Sequence, residues 1–238
     1  MAINEIMLSS VFISITLLSF ALFYIGTGKD KRFLTLTTLW VVLVGIVSLS
    51  GYFTNTLAKP PRFILILLGA IILSVIFYVI VKKNQLNLSL LLAIHTLRLP
   101  IELVLYQLYI ERKVPVLMTF KGWNFDIFMG ISAIILMLYL LLSKNILSKY
   151  FILAWNILGL GFLLFIIAIA ILSSPLPLQK FAFDQPNIAV LHFPYVYLPA
   201  FVVPLVVLSH ILTLRNYRRS TTGNKELRHQ SSIKRCKN

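Results

Sequence analysis

The chain has 238 residues, of which 59% are hydrophobic and only 12% charged, and its 22 Lys and Arg against 7 Asp and Glu give a formal net charge of +15. Soluble domains carry about a quarter charged residues. With a mean hydropathy of +0.91, an aqueous globular fold is excluded, because apolar runs so many and so long cannot share one water-surrounded core. The single cysteine, Cys236, excludes an internal disulfide, a cysteine-based zinc site and a cysteine-ligated iron–sulfur cluster.

A bilayer accommodates such runs. About 20 apolar residues cross its hydrocarbon core as a helix, with every backbone hydrogen bond made internally. The alternation expected of a membrane barrel is absent. In chain order the predicted spans are Ile6–Ile25, Phe33–Thr54, Phe63–Val81, Leu86–Ile110, Phe125–Leu142, Tyr150–Leu172 and Ala189–Leu214. Turn signals separate them at Gly26-Thr27-Gly28, Pro60-Pro61, Lys82-Lys83-Asn84, Ser143-Lys144-Asn145 and Ser173-Ser174-Pro175. The predicted fold class is therefore an all-α membrane protein. A bundle of seven transmembrane helices occupies residues 1–214, with proline kinks in the fourth and seventh helices. Residues 215–238 form a tail whose Ser, Thr, Gly and Asn content predicts disorder.

Basic residues set the predicted orientation. With the C-terminus in the cytoplasm, the cytoplasmic side carries Lys29, Lys31, Arg32, Lys82, Lys83, Lys144, Lys149 and the eight Lys and Arg of the tail. The opposite side carries Lys59, Arg62, Arg112, Lys113, Lys121 and Lys180. The positive-inside rule then favours N-out, C-in, and the tail decides the margin. The N-terminal stretch has Glu5 and no Lys or Arg before the first span, unlike a secretory signal, so that span reads as a retained helix. Compact loops point to a bacterial cytoplasmic (inner) membrane. The basic tail suits anionic lipid headgroups, at about 1 kcal/mol per residue near the surface. It lacks the folded module and interleaved aromatics of a nucleic-acid binder, so no nucleic-acid partner is expected.

The fourth span breaks the apolar rule. At about 100° per residue, His95, Arg98, Glu102 and Tyr106 fall within an arc of about 80°. A charged group at a helix centre costs about 2.5–3.5 kcal/mol to insert, so this face should look into the bundle or a wet cavity. Arg98 and Glu102 are four residues apart and within reach of each other, and Pro100 between them frees the carbonyl of Thr96. Two readings compete: an ion pair that only fixes packing, or a site for a solute or proton. A metal centre is not expected, since His95 and Glu102 lie about 10.5 Å apart along the axis.

Two other regions bear on the site. Loop 4–5, from Glu111 to Asp126, holds charges and aromatics, with Asp126 as a ligand-contact candidate. Asn124 reads as a helix cap and Trp123 as an interfacial anchor. The seventh span carries Pro194, Pro199 and Pro204 and has His192 at its outer end; interrupted helices of this kind line transport sites. His210 reads as an inner-end residue without a special role.

The sequence resembles no family closely. The last span lacks the lysine of a retinal Schiff base and the closely spaced histidines of ceramidase-type hydrolases. No nucleotide-binding, zincin or nucleophile-elbow motif is present, no cofactor is expected, and no signal bears on oligomeric state. The function expected is binding or translocation of a small polar or anionic solute, or of protons, at an outward-opening polar site built from His95, Arg98, Glu102, Tyr106, Asp126 and His192. A membrane-embedded enzyme acting on a lipid, with Glu102 or His95 as base, and a structural or assembly subunit are the alternatives.

Overall fold

The computed structural model describes residues 5–56, 58–143 and 147–217. Among these residues every regular element is helical, and seven helices are long and apolar enough to cross a membrane: α1 Glu5–Gly26, α2 Lys31–Leu49, α3 Ile64–Val81, α4 Leu88–Ile110, α5 Asp126–Ser143, α6 Lys149–Leu172 and α7 Leu198–Tyr217. Apolar side chains such as Leu39, Ile71, Leu138 and Leu164 point outward, as a lipid-facing surface requires. Most of the predicted tail, residues 218–238, lies outside the described residues. Its first three positions continue α7, and Arg215 donates to the carbonyl of Lys82.

More than half of α4 and of α7 is buried, against a third or less of the other five helices. These two helices carry the buried His95, Arg98, Glu102 and His210. Lipid tails are as apolar as leucine, so helices in a bilayer are held by close packing and polar contacts rather than by hydrophobic burial. Gly130 of α5 supplies one such approach: a Cβ there would stand 2.7 Å from the backbone nitrogen of Leu99 on α4.

The helical ladder is interrupted where proline demands it. The fourth span is two segments, Leu88–Thr96 and Arg98–Ile110, joined through Leu97, whose N–H bonds back to Ile94. The restart puts Pro100 in the first turn of the second segment, where its missing N–H costs nothing. Asn87 caps the first segment through the N–H of Leu90. The seventh helix starts later than the sequence suggests. Residues 189–191 form a single 3₁₀ turn, and α7 opens at Leu198 with a π-type turn through Val202. Pro204 cannot donate to the carbonyl of Ala200, which instead accepts the indole N–H of Trp40 at 2.9 Å. The second helix also stops early, at Leu49, before the left-handed Gly51 and a 3₁₀ turn at Tyr52–Thr54.

Loops are tied at both ends of the bundle. At one end, Asn84 donates to the carbonyl of Thr27, and the N–H of Asn87 bonds to Gly26. Asp30 caps α2 and pairs with Arg32 at 2.9 Å. Hydrogen bonding to Arg32 pulls the Asp30 carboxyl down to about 2, against the opposing effect of burial. At the other end, Gln185 donates to the carbonyls of Tyr109 and Val114, and Lys113 bridges Glu5 at 2.6 Å and Glu111 at 3.1 Å. Burial disfavours the Lys113 ammonium, but those two carboxylates outweigh it and raise its pKa.

Candidate functional site

The centre of the bundle holds a buried polar cluster drawn from α4, α5, α6, α7 and loop 4–5. Arg98 is its hub. One guanidinium nitrogen donates to Asp126 at 2.6 Å and to the carbonyl of Gly159 at 3.2 Å. The other lies 3.3 Å from Nε2 of His210. Arginine has no acceptor, so His210 Nε2 must accept and its proton sits on Nδ1. That proton is donated to Oδ1 of Asn156 at 2.9 Å, and the Asn156 amide donates to the carbonyl of Ile152. This tautomer is assigned from the network.

Gly159 makes the arrangement sterically feasible. A Cβ at that position would lie 2.7 Å from Cε1 and 2.9 Å from Nε2 of His210. The bare backbone lets the imidazole lie against α6 and leaves the carbonyl open to Arg98.

Glu102 does not pair with Arg98, although helical spacing allows it. Arg98 spends its Nη donors on Asp126, Gly159 and His210, and one oxygen of Glu102 takes the side-chain amide of Asn124. Asn124 also donates to the carbonyl of Met118 at 3.1 Å and accepts the N–H of Asp126 at 3.1 Å. It is therefore both the cap foreseen for the fifth helix and a part of the cluster. Loop 4–5 turns inward here, with Met118, Thr119 and Asn124 buried.

Three atoms in the cluster have no hydrogen-bonding partner among the described residues: Nδ1 of His95, Nε of Arg98 and Oε2 of Glu102. His95 and Glu102 are each only 1% exposed. The His95 ring lies with its centroid 4.0 Å from that of His210, tilted by 33°, and meets Trp155 edge-on at 5.2 Å. Trp155 in turn donates to Ser132 at 3.0 Å.

Two cavities flank the cluster. One, of about 310 Å³, is lined by His95, Trp155, Asn156, Ser89 and Thr213 and lies at the end where α4 and α6 begin and α7 ends. The other, of about 530 Å³, is a largely apolar groove between α3, α6 and α7, with Arg98, Glu102, Asn124 and Asp126 in its wall. In place of the single site expected from the sequence there are two spaces, and His95 borders the one that Glu102 does not.

Of the six residues singled out in the sequence, the structure brings His95, Arg98, Glu102 and Asp126 together and leaves two outside. Tyr106 sits near the surface, where its hydroxyl accepts from Lys121 at 2.6 Å, and that hydrogen bond raises the Lys121 pKa. His192 is exposed on the loop before α7. The structure adds His210, Asn124, Asn156 and Gly159. His210 and Asn156 stand out in the sequence as polar residues inside apolar spans. A seventh span that begins at Ala189 puts His210 near its inner end. With α7 starting at Leu198, His210 lies about 18 Å along the helix, in mid-bundle. Among the described residues no group of three or more His, Cys, Asp and Glu could hold a metal ion.

Seven apolar helices around a buried polar core define a multi-pass helical membrane protein. Residues 60–218 match the model of a family described as "Domain of unknown function (DUF8737)", which is more than half of the chain, and the protein belongs to that family. The matched region contains α3 to α7 and every residue of the cluster. No curated protein and no solved structure matches the chain.

Proposed function

We propose that the protein passes protons, or binds and translocates a small polar solute, through the buried cluster, with His95 and Glu102 as the exchanging groups. The observation that carries this reading is their position. His95 borders one cavity and Glu102 the other, both keep an unpartnered polar atom, and the Arg98–Asp126–His210–Asn156 network lies between them. Intramembrane ionisable groups are costly, and the default account of their presence is function. Arg98 does not serve as an anion contact in this reading, since Asp126 already neutralises it at 2.6 Å. A proton arriving at His210 Nε2 must displace Arg98, which makes the His210–Arg98 contact the natural gate of such a path.

The measurement is proton flux into liposomes holding the purified protein and an entrapped pH dye, driven by a potassium diffusion potential. Wild type should acidify or alkalinise the lumen faster than protein-free liposomes. His95→Gln and Glu102→Gln should each remove most of that flux while leaving the thermal melt in place. A wild-type rate equal to that of empty liposomes would exclude the proton reading.

We also propose an N-out, C-in orientation in a bacterial cytoplasmic membrane, supported by the charge asymmetry of the loops. A reporter that works only in the cytoplasm should be active when fused after Lys83 and inactive when inserted between residues 175 and 187. Activity at the second position would reverse the assignment.

A packing role is the second reading, and one observation favours it: Arg98, Asp126, His210 and Asn156 together tie α4, α5, α6 and α7 in a continuous chain of contacts. The two readings separate at His95 and Glu102, which exchange needs and packing does not.

A further inference from the structure

The groove between α3, α6 and α7, which the proton reading uses only for access to Glu102, has a shape and a chemistry that access alone does not explain. Its rim includes Ile71, Val75 and Leu164, all exposed on the lipid-facing surface, so the groove is open sideways. It follows α3 from Phe63 to Val75, about 18 Å of helix. That length is close to one leaflet, half of a hydrocarbon core about 30 Å thick. Its volume of about 530 Å³ falls in the usual range for a small-molecule site, about 300–1,000 Å³.

The wall is largely apolar, with charged groups at Arg98, Glu102 and Asp126 and uncharged polar ones at Ser74, Asn124, Ser174 and Asn187. Arg98 and Glu102 each hold a buried atom with no partner among the described residues, the Nε donor of Arg98 and the Oε2 acceptor of Glu102, and Asn187 leaves its Oδ1 acceptor unpartnered in the same wall. Buried polar groups are nearly always satisfied, so the donor–acceptor pair of Arg98 and Glu102 specifies what should meet it. A hydroxyl both donates and accepts and answers the two atoms together. An ammonium has no acceptor for Arg98. A carboxylate has no donor for Glu102 and is repelled by Glu102 and Asp126. A phosphate brings more charge than the small polar patch can satisfy.

We infer that the groove is a binding site for a long-chain alcohol. It enters from the surrounding leaflet, with its hydroxyl between Arg98 Nε and Glu102 Oε2 and its chain along α3, α6 and α7. The site does not depend on proton movement, and Ala70 and Ser74, which line it on α3, offer a way to fill it without touching the cluster.

The experiment uses the whole protein in lipid nanodiscs with a long-chain alcohol carrying a photoactivatable diazirine, and maps the labelled residues by mass spectrometry. Label should concentrate on groove residues of α3, α6 and α7. Octadecanol should compete for it, whereas octadecylamine and octadecanoate, each able to satisfy only one of the two atoms, should compete about tenfold less well. Ala70→Phe should abolish the focused labelling. Ser74→Leu, which adds less bulk, serves the same purpose if Ala70→Phe does not fold. Label spread evenly over outward-facing residues, or equal competition by the alcohol, the amine and the acid, would overturn the proposal. So would groove-filling variants that label like wild type. The two readings fail separately: a groove-filled variant that loses label but keeps normal flux shows that the lipid site is distinct from the proton path, and focused label in a protein without flux retires only the proton path.

Discussion

Arg98→Met should lower the stability of the folded bundle by about 3–5 kcal/mol, the usual cost of stranding one member of a buried ion pair. The stranded group is Asp126, 7% exposed and bonded to Arg98 at 2.6 Å. Arg98→Met with Asp126→Leu should recover most of the loss, because a buried pair replaced by apolar groups of similar volume is often neutral or better. Arg98→Met with Glu102→Leu should not, since Asp126 stays buried without its partner. Thermal melts of the three variants in detergent settle the pairing. A Glu102 double variant that recovers while the Asp126 double variant stays weak would mean that Arg98 pairs along its own helix after all. Flux through the Asp126 double variant then separates the two functional readings. If packing is the whole role of the cluster, its recovered fold is fully active in the native host. If the Arg98–His210 contact gates exchange, the fold recovers and control of the flux does not.

Gly159→Ala should cost about 1–3 kcal/mol, the range for overpacking a filled interior, even though alanine is the better helix former by about 1 kcal/mol. The added methyl would stand 2.5 Å from Cε of Met129 and 2.7 Å from the His210 ring. Methionine can move aside, but the imidazole is held between Asn156 and Arg98, so relieving the clash with it means breaking one of those two contacts. Gly161 supplies the control on the same helix. A Cβ there meets nothing within 4 Å, so Gly161→Ala should be neutral or mildly stabilising. Melts of the two variants, with proton flux alongside, provide the comparison. Equal stability of Gly159→Ala and Gly161→Ala would show that the close approach of α6 to His210 is not needed.

The sequence by itself determined the number and approximate limits of the helices. A bilayer demands about 20 apolar residues per crossing and internal hydrogen bonding throughout, so hydropathy alone marks α1, α3, α5 and α6 to within a few residues. It also marked the fourth span as the polar one, because His95, Arg98 and Glu102 are expensive wherever lipid is the solvent. It overran α2 and α7. Apolar stretches lie outside the helix after the end of α2, from Gly51, and before the start of α7, from Ala189 to Tyr197, and hydropathy does not distinguish apolar helix from apolar turn.

Only the tertiary structure decided the partners. Helical spacing offered Arg98 a partner four residues away, and it is a correct statement about one helix. The guanidinium is long and branched, however, and α5, α6 and α7 bring Asp126, the Gly159 carbonyl and His210 within its reach. Loop 4–5 brings Asn124 to Glu102 in the same way. These contacts join residues as far apart as 112 positions in the chain, and no local period encodes them. They follow from how closely helices approach at a glycine and how far a loop dips between them, which the packed bundle alone fixes.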